Sequence, residues 1–342
     1  MVTDRSSHFW NLPLLRPYLK PFQDLETNLT GLEARGMVIG DRAFAGRCLA
    51  RIGYYRLSAY WYPFRVFKPS PQDTEQRVRG DMFRPGTTFE LVHGFYLFDK
   101  SIRLHLIDGL ERVEIAVRAA LIETLGALDP HAHRNAKSYR SDFAQPDETG
   151  TSDFSTFLDG LDQSFERSKA EFSKHFRATY EGPPPIWIAA EAWDWGNLAY
   201  ILSHLTDANT NAVCAFIHPA LLRKSLISWM TSLNEVRNAC AHHSRLWNRP
   251  LINSPSLKQR DLPLFDDMRS ANGAVPDAQT KRLYGALAVL IFLMRRFHPR
   301  TEWHLRLRDL VSGTDLPPEI GTKSAGFPEG WAVHALWRAG QV

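Results

Sequence analysis

One apolar pattern limits what this chain can fold into. Beginning near Phe89, the residues Leu91, Phe95, Phe98, Ile102, Leu106, Leu110, Val113, Val117 and Leu121 recur at steps of three and four, the period that lines one side of an α-helix. A single long amphipathic helix follows, and it needs other helices to cover its stripe. The same period predicts shorter helices at about 22–35, 41–52, 54–65, 153–178, 187–205, 209–217, 219–231, 233–247, 281–297 and 300–311. Strand-like alternation bounded by turn residues is hard to find. The fold class expected is all-α.

Segments rich in Pro, Gly, Ser and Asp stop the helices. They are "KPSPQDTEQRVRGDMFRPGTT", "DPHAHRNAKSYRSDFAQPDETGTSD", "EGPPP" and "NRPLINSPSLKQRDLPLFDD". These breaks suggest an N-terminal helical region at 1–85, a central helical domain at 86–250, and a C-terminal helical segment at 251–342. The tail "SGTDLPPEIGTKSAGFPEGW" reads as an irregular surface segment, and no internal repeat is found.

Composition excludes several classes. With 44% hydrophobic and 23% charged residues, neither disorder nor a fibrous repeat is expected. The net charge of +4, carried mostly by arginine, permits a polyanionic partner and tilts towards nucleic acid. Cys48, Cys214 and Cys240 lie far apart, against a disulfide framework or a zinc ribbon. The N-terminal "MVTDRSSHFWNLPLLRPYLKPF" lacks the pattern of a secretory signal. The apolar run "LYGALAVLIFLM" at 283–294 is too short to span a bilayer, so no membrane association and a cytoplasmic location are expected. His131 and His133 have no third ligand at a metal-site spacing. No glycine-rich phosphate loop occurs. Neither a metal nor a cofactor is expected.

The reactive candidates gather in "LNEVRNACAHHSRLWNR", 233–249. Arg237 stands five residues before His242 and six before His243. In a chain with 13 histidines such a spacing arises by chance, so helical geometry must add to it. On a helix through 233–247, Val236, Cys240 and Trp247 share an apolar stripe with His243 at its edge, packed or half-buried. Asn238 and His242 lie one turn apart on the opposite face, and Arg237 is about 140° round from His242. Arg237 and His242 would then converge on a ligand over the helix, or through a second copy of the chain.

Such a set suits cleavage of RNA without metal. A histidine removes the 2′-OH proton at neutral pH, and a fixed arginine meets the charge developing on phosphorus. Asn238 would orient the histidine or hydrogen-bond a phosphate oxygen. The same residues also read as a solvated helix whose Arg237 pairs with Glu235 or Glu191. Glu114 reads as an i,i+4 partner of Arg118, or as a carboxylate orienting Arg237 or His242. In "YYRLSAYWYPFR" the aromatics read as core, or as a stacking surface for single-stranded RNA. Arg56, Arg65, Arg118 and Arg245 are the candidate RNA contacts.

Four stretches in this order carry a resemblance: "IGYYRLSAYWYPFR", "FYLFDKSIRLHLIDGLERVEIAVRAAL", "PPIWIAAEAWDWGNLAYILSHL" and "LNEVRNACAHHSRLWNR". Together they resemble the Abi-like (AbiD/AbiF) family of bacterial abortive-infection proteins over roughly residues 20–250. That family is similar to the HEPN superfamily of all-helical ribonucleases. The resemblance implies a HEPN-like helical bundle, an R-N-x-x-x-H centre falling on Arg237, Asn238 and His242, and action as a homodimer in phage defence. It does not make His243 catalytic, and Glu114, Glu191 and His243 stand as supporting candidates only. It also implies RNA as substrate, and leaves room for a bound small non-coding RNA or an antitoxin. A non-catalytic RNA-binding protein of the same fold, and a purely structural helical partner, are the alternatives.

Overall fold

The computed structural model describes residues 17, 19, 21–68, 78–258 and 262–340. Most of the N-terminal stretch read for a secretory signal lies outside them. The architecture is all-α, and the chain forms two compact units. One comprises Met1–Ser58 and Phe64–Leu91, the other Ala59–Pro63 and Val92–Val342.

In the first unit, helices Leu25–Ala34 and Arg42–Ile52 each begin at an aspartate. Asp24 accepts from the backbone N–H of Thr27 and Asp41 from that of Phe44, both at 2.8 Å, satisfying donors that a helix start leaves open. Helix Tyr54–Trp61 stops short of the expected 65, because Pro63 ends it in a short 3-10 turn, Tyr62–Phe64. A two-stranded antiparallel ribbon follows, Arg65–Phe67 against Arg79–Phe83, pairing Arg65 with Phe83 and Phe67 with Arg79. The sequence reading found no strand here, since three to five residues are too few to display a period. Part of the ribbon's adhesion comes from arginine over aromatic faces, with the Arg79 guanidinium 4.2 Å from the Phe67 ring centre.

The second unit is built along helix Phe89–Gly126 from Val92 onward. Phe95, Phe98, Ile102, Leu106, Leu110, Val113, Val117 and Leu121 are all buried, as their period requires. Gly109 is needed where the C-terminal helix Trp303–Ser312 docks. A Cβ there would come within 2.6 Å of the Trp303 ring. That ring is fixed by its indole N–H to the His105 carbonyl at 3.1 Å.

Three sequence expectations are corrected. The helix expected over 153–178 is two, Asp153–Arg167 and Glu171–Thr179, separated where Ser168 turns extended. The span 187–205 holds a short turn, Ile186–Ala189, and a helix, Trp195–His204, that starts afresh at the capping Asp194. Conversely, 219–231 and 233–247 are one helix, Arg223–Ala241. Leu226, Trp229, Met230, Leu233, Val236 and Cys240 carry one buried stripe through it without a break.

This motif helix sits beside Trp195–His204, whose Trp195 indole donates to the Met230 carbonyl at 2.9 Å. It also meets Leu283–Phe297, where Trp229 and Phe292 are 5.4 Å apart. The latter is the apolar run singled out above. Its residues from Leu283 to Arg295 are all buried, and no described helix is long and apolar enough to cross a membrane. The tail is irregular but is not a surface segment. Ile320, Ala325, Phe327, Leu336 and Trp337 are buried, and the Trp247 indole donates to the Ile320 carbonyl at 2.7 Å. Its aromatic residues are spaced for a loop packed as core, which no helical or strand period reveals.

Candidate functional site

The motif helix ends one residue before His242. The N–H of His243 donates to the Cys240 carbonyl at 3.1 Å and that of Ser244 reaches back to Ala239 at 2.9 Å. Together with a left-handed residue between them, these two bonds make a Schellman cap. The left-handed residue is His243, at φ 57°, the only non-glycine with positive φ among the described residues. Glycine is the usual occupant, and a side chain there costs roughly 1–2 kcal/mol. His243 is exposed, not packed as the helical wheel expected, because the wheel stops at Ala241.

His242 is the capping residue, exposed, with its N–H on the Asn238 carbonyl at 2.9 Å. The one-turn relation of Asn238 to His242 therefore survives although the helix does not continue. Trp247 is buried, but by a loop that folds back and not by the helical stripe assigned to it.

Arg237 is half-buried, and its guanidinium donates to the Asn238 side-chain oxygen at 3.3 Å. Neither Glu235 nor Glu191 pairs with it. Glu235 instead accepts the N–H groups of Ile252 and Asn253 at 3.0 and 2.8 Å and faces Arg249 at 3.6 Å. Glu191, partly exposed, lies 3.9 Å from Arg118. Glu114 lies close enough to Arg237 to feel its charge, though no hydrogen bond or ion pair joins them. Burial pushes the Glu114 carboxyl above its ordinary range, and the guanidinium groups of Arg118 and then Arg237 oppose that. Arg118 holds it at 2.8 Å and donates also to the Trp193 carbonyl at 2.9 Å. Thus the i,i+4 pairing of Glu114 with Arg118 is present in the structure, and Arg237 acts on Glu114 only as a weaker, more distant charge.

The four candidate RNA arginines are not equivalent. Arg118 is committed to internal partners. Arg245 donates to the Ala59 carbonyl, and its burial disfavours the charged form. Arg65 belongs to the ribbon, 3.5 Å from Asp81. Arg56 is exposed in the first unit.

Sequence reasoning missed the group that holds the loop after His242. Asp99 and Arg103, both buried on the long helix, form an ion pair. The Tyr60 hydroxyl donates to Asp99 at 2.8 Å and accepts from Arg103 at 2.9 Å. The other Asp99 oxygen accepts the N–H groups of Leu246 at 3.1 Å and Trp247 at 2.8 Å. Arg103 also donates to the Ser244 carbonyl at 3.3 Å. Burial pushes the Asp99 carboxyl up, while Arg103 and the donors at Trp247, Tyr60 and Leu246 favour its ionised form. The legible signal was a charged i,i+4 pair inside the stripe of Phe95, Phe98, Ile102 and Leu106, where charge is seldom tolerated unpaired.

The geometry thus offers an exposed imidazole on a fixed cap, an amide one turn back, and a cation beside that amide. Among the described residues no three His, Cys, Asp or Glu side chains cluster to hold a metal.

Compared with known proteins, the chain matches the family model described as Abi-like protein over residues 47–248. No curated protein and no solved structure matches it.

Proposed function

The chain belongs to the Abi-like protein family, and from that premise we propose that it is an endoribonuclease of the HEPN type acting in abortive infection. Arg237, Asn238 and His242 are its centre. The observation that carries this reading is their placement on the last turn and cap of one helix, with His242 exposed and the following loop clamped by Asp99 and Arg103.

In this reading His242 takes the proton of a ribose 2′-OH, and O2′ attacks the adjacent phosphorus. Arg237 meets the charge developing on the phosphoryl oxygens, and Asn238, its amide oxygen already on Arg237, orients the pair. The bond from phosphorus to O5′ breaks, leaving a 2′,3′-cyclic phosphate and a 5′-OH. No step requires a metal or cofactor. A second copy of the chain would bring a second set to the same RNA, which makes a homodimer part of the proposal.

The test compares native protein with His242→Ala on end-labelled RNA in EDTA, with both proteins run on a sizing column. Cleavage by the native protein alone, leaving cyclic phosphate ends, is the expected result. A correctly folded native protein that binds RNA without cutting it would replace this reading by a non-catalytic RNA-binding role, with a small non-coding RNA as the first partner to seek.

A further inference from the structure

We propose that His243 is a second catalytic residue of this site, a general acid that protonates the 5′-oxygen as it leaves. This rests on the endoribonuclease reading and adds to it a group whose role no spacing argument supplies.

The first support is conformational. The cap demands a left-handed residue, glycine fills that position without steric cost, and this chain places an imidazole there instead. Backbone held in a disfavoured region tends to persist where the side chain it presents has a task. Here the side chain is presented to solvent, so burial of the ring does not account for it. The second support is mounting. Ser244, next in the chain, is bonded on both sides, by its N–H to Ala239 at 2.9 Å and by its carbonyl to Arg103 at 3.3 Å. Asp99 holds Leu246 and Trp247 just beyond. His243 therefore stands on backbone that is fixed before any ligand arrives, as an acid–base group must be.

The third support is chemical. In an in-line displacement the proton comes off O2′ on one side of phosphorus and must be delivered to O5′ on the other. One imidazole does not serve both positions at once; in this proposal the second is His243 of the same chain, and full cleavage by a His243→Gly variant would give that role to His242 of a second copy. Arg237 is no substitute, since a guanidinium does not give up its proton near neutral pH. Adjacent residues are about 3.8 Å apart at Cα and both histidines are exposed, so the proposal has His242 and His243 reach one phosphodiester from a common base. Neutral His242 accepts the O2′ proton as the O2′–P bond forms. Protonated His243 gives its proton to O5′ as the P–O5′ bond breaks. The two imidazoles finish with exchanged protonation states and reset through solvent.

His243→Gly suits the test, because glycine keeps the cap and removes its strain. Its melting temperature should equal or exceed that of the native protein. Two oligonucleotides are compared, one with the ordinary 5′-oxygen and one with sulfur at that bridging position, a leaving group that departs without a proton. On the ordinary substrate the variant should lose on the order of 10²- to 10⁴-fold in kcat, together with the alkaline limb of the pH profile. On the sulfur substrate it should remain within a few-fold of native. Unchanged cleavage of the ordinary substrate overturns the proposal, and so do equal losses on both substrates, which would mark His243 as a binding or positioning group. Native protein that cleaves neither substrate sinks the endoribonuclease reading itself, and this proposal with it.

Discussion

The side chain of Asp99 accepts the backbone N–H of Trp247 at 2.8 Å, across 148 positions of sequence. A carboxylate in the middle of the long helix thereby fixes where the chain goes after the two histidines. Every partner of that carboxylate is a donor: Arg103, the Tyr60 hydroxyl, and the N–H groups of Leu246 and Trp247.

Removing the carboxylate should therefore cost more than its volume. Asp99→Ala leaves Arg103 buried without its counter-charge, and urea unfolding should show a loss of about 3–5 kcal/mol. Asp99→Asn keeps an acceptor for the two backbone N–H groups and should lose less. Equal stability of native and Asp99→Ala would mean that the ion pair does not hold the loop.

Glu114 makes a prediction with a definite sign. Its carboxyl titrates above its ordinary range chiefly because it is buried, so between the unfolded and folded values the folded protein keeps a proton that the unfolded chain has lost. Stability from this group is full below the unfolded value and declines as pH rises through the folded one. Glu114→Gln lacks that decline. Its melting temperature should gain on native as pH rises through the folded value of Glu114, and under the proposed function RNA cleavage should fall if Glu114 orients Arg237. Full cleavage by Glu114→Gln would remove any orienting role for Glu114.

His133 acts in the opposite pH direction. Burial, helped by Arg134 and His131, pushes its pKa from 6.5 down to about 4, so the folded protein keeps the ring neutral while the unfolded chain protonates it. This contribution is present above 6.5 and is lost as pH falls to about 4, with a full span of roughly 3 kcal/mol. The ring lies against Trp193, 5.6 Å between centres, and the Trp193 carbonyl anchors Arg118. His133→Gln should flatten the fall in melting temperature across that window. A parallel fall in variant and native would exclude His133 as the group responsible.

Local chemistry made much of this protein legible from its residues. The long helix, its buried stripe and the aspartate helix starts follow from a period of 3.6 and from the donors a helix leaves open. So does the relation of Asn238 to His242, which needs only residues a turn apart on one element.

What the sequence did not disclose depends on partners distant in the chain. The motif helix could not be seen to stop at Ala241, because its end is set by a left-handed His243 and by Asp99 and Arg103 holding Ser244 to Trp247. The C-terminal tail could not be seen to be core, because its apolar residues follow no period and meet Trp247 only in three dimensions. The sequence by itself determined where most of the helices lie, since helical period and capping are short-range properties. Tertiary structure alone decided where the motif helix stops and how His243 is presented, since burial and hydrogen bonding between distant segments set both.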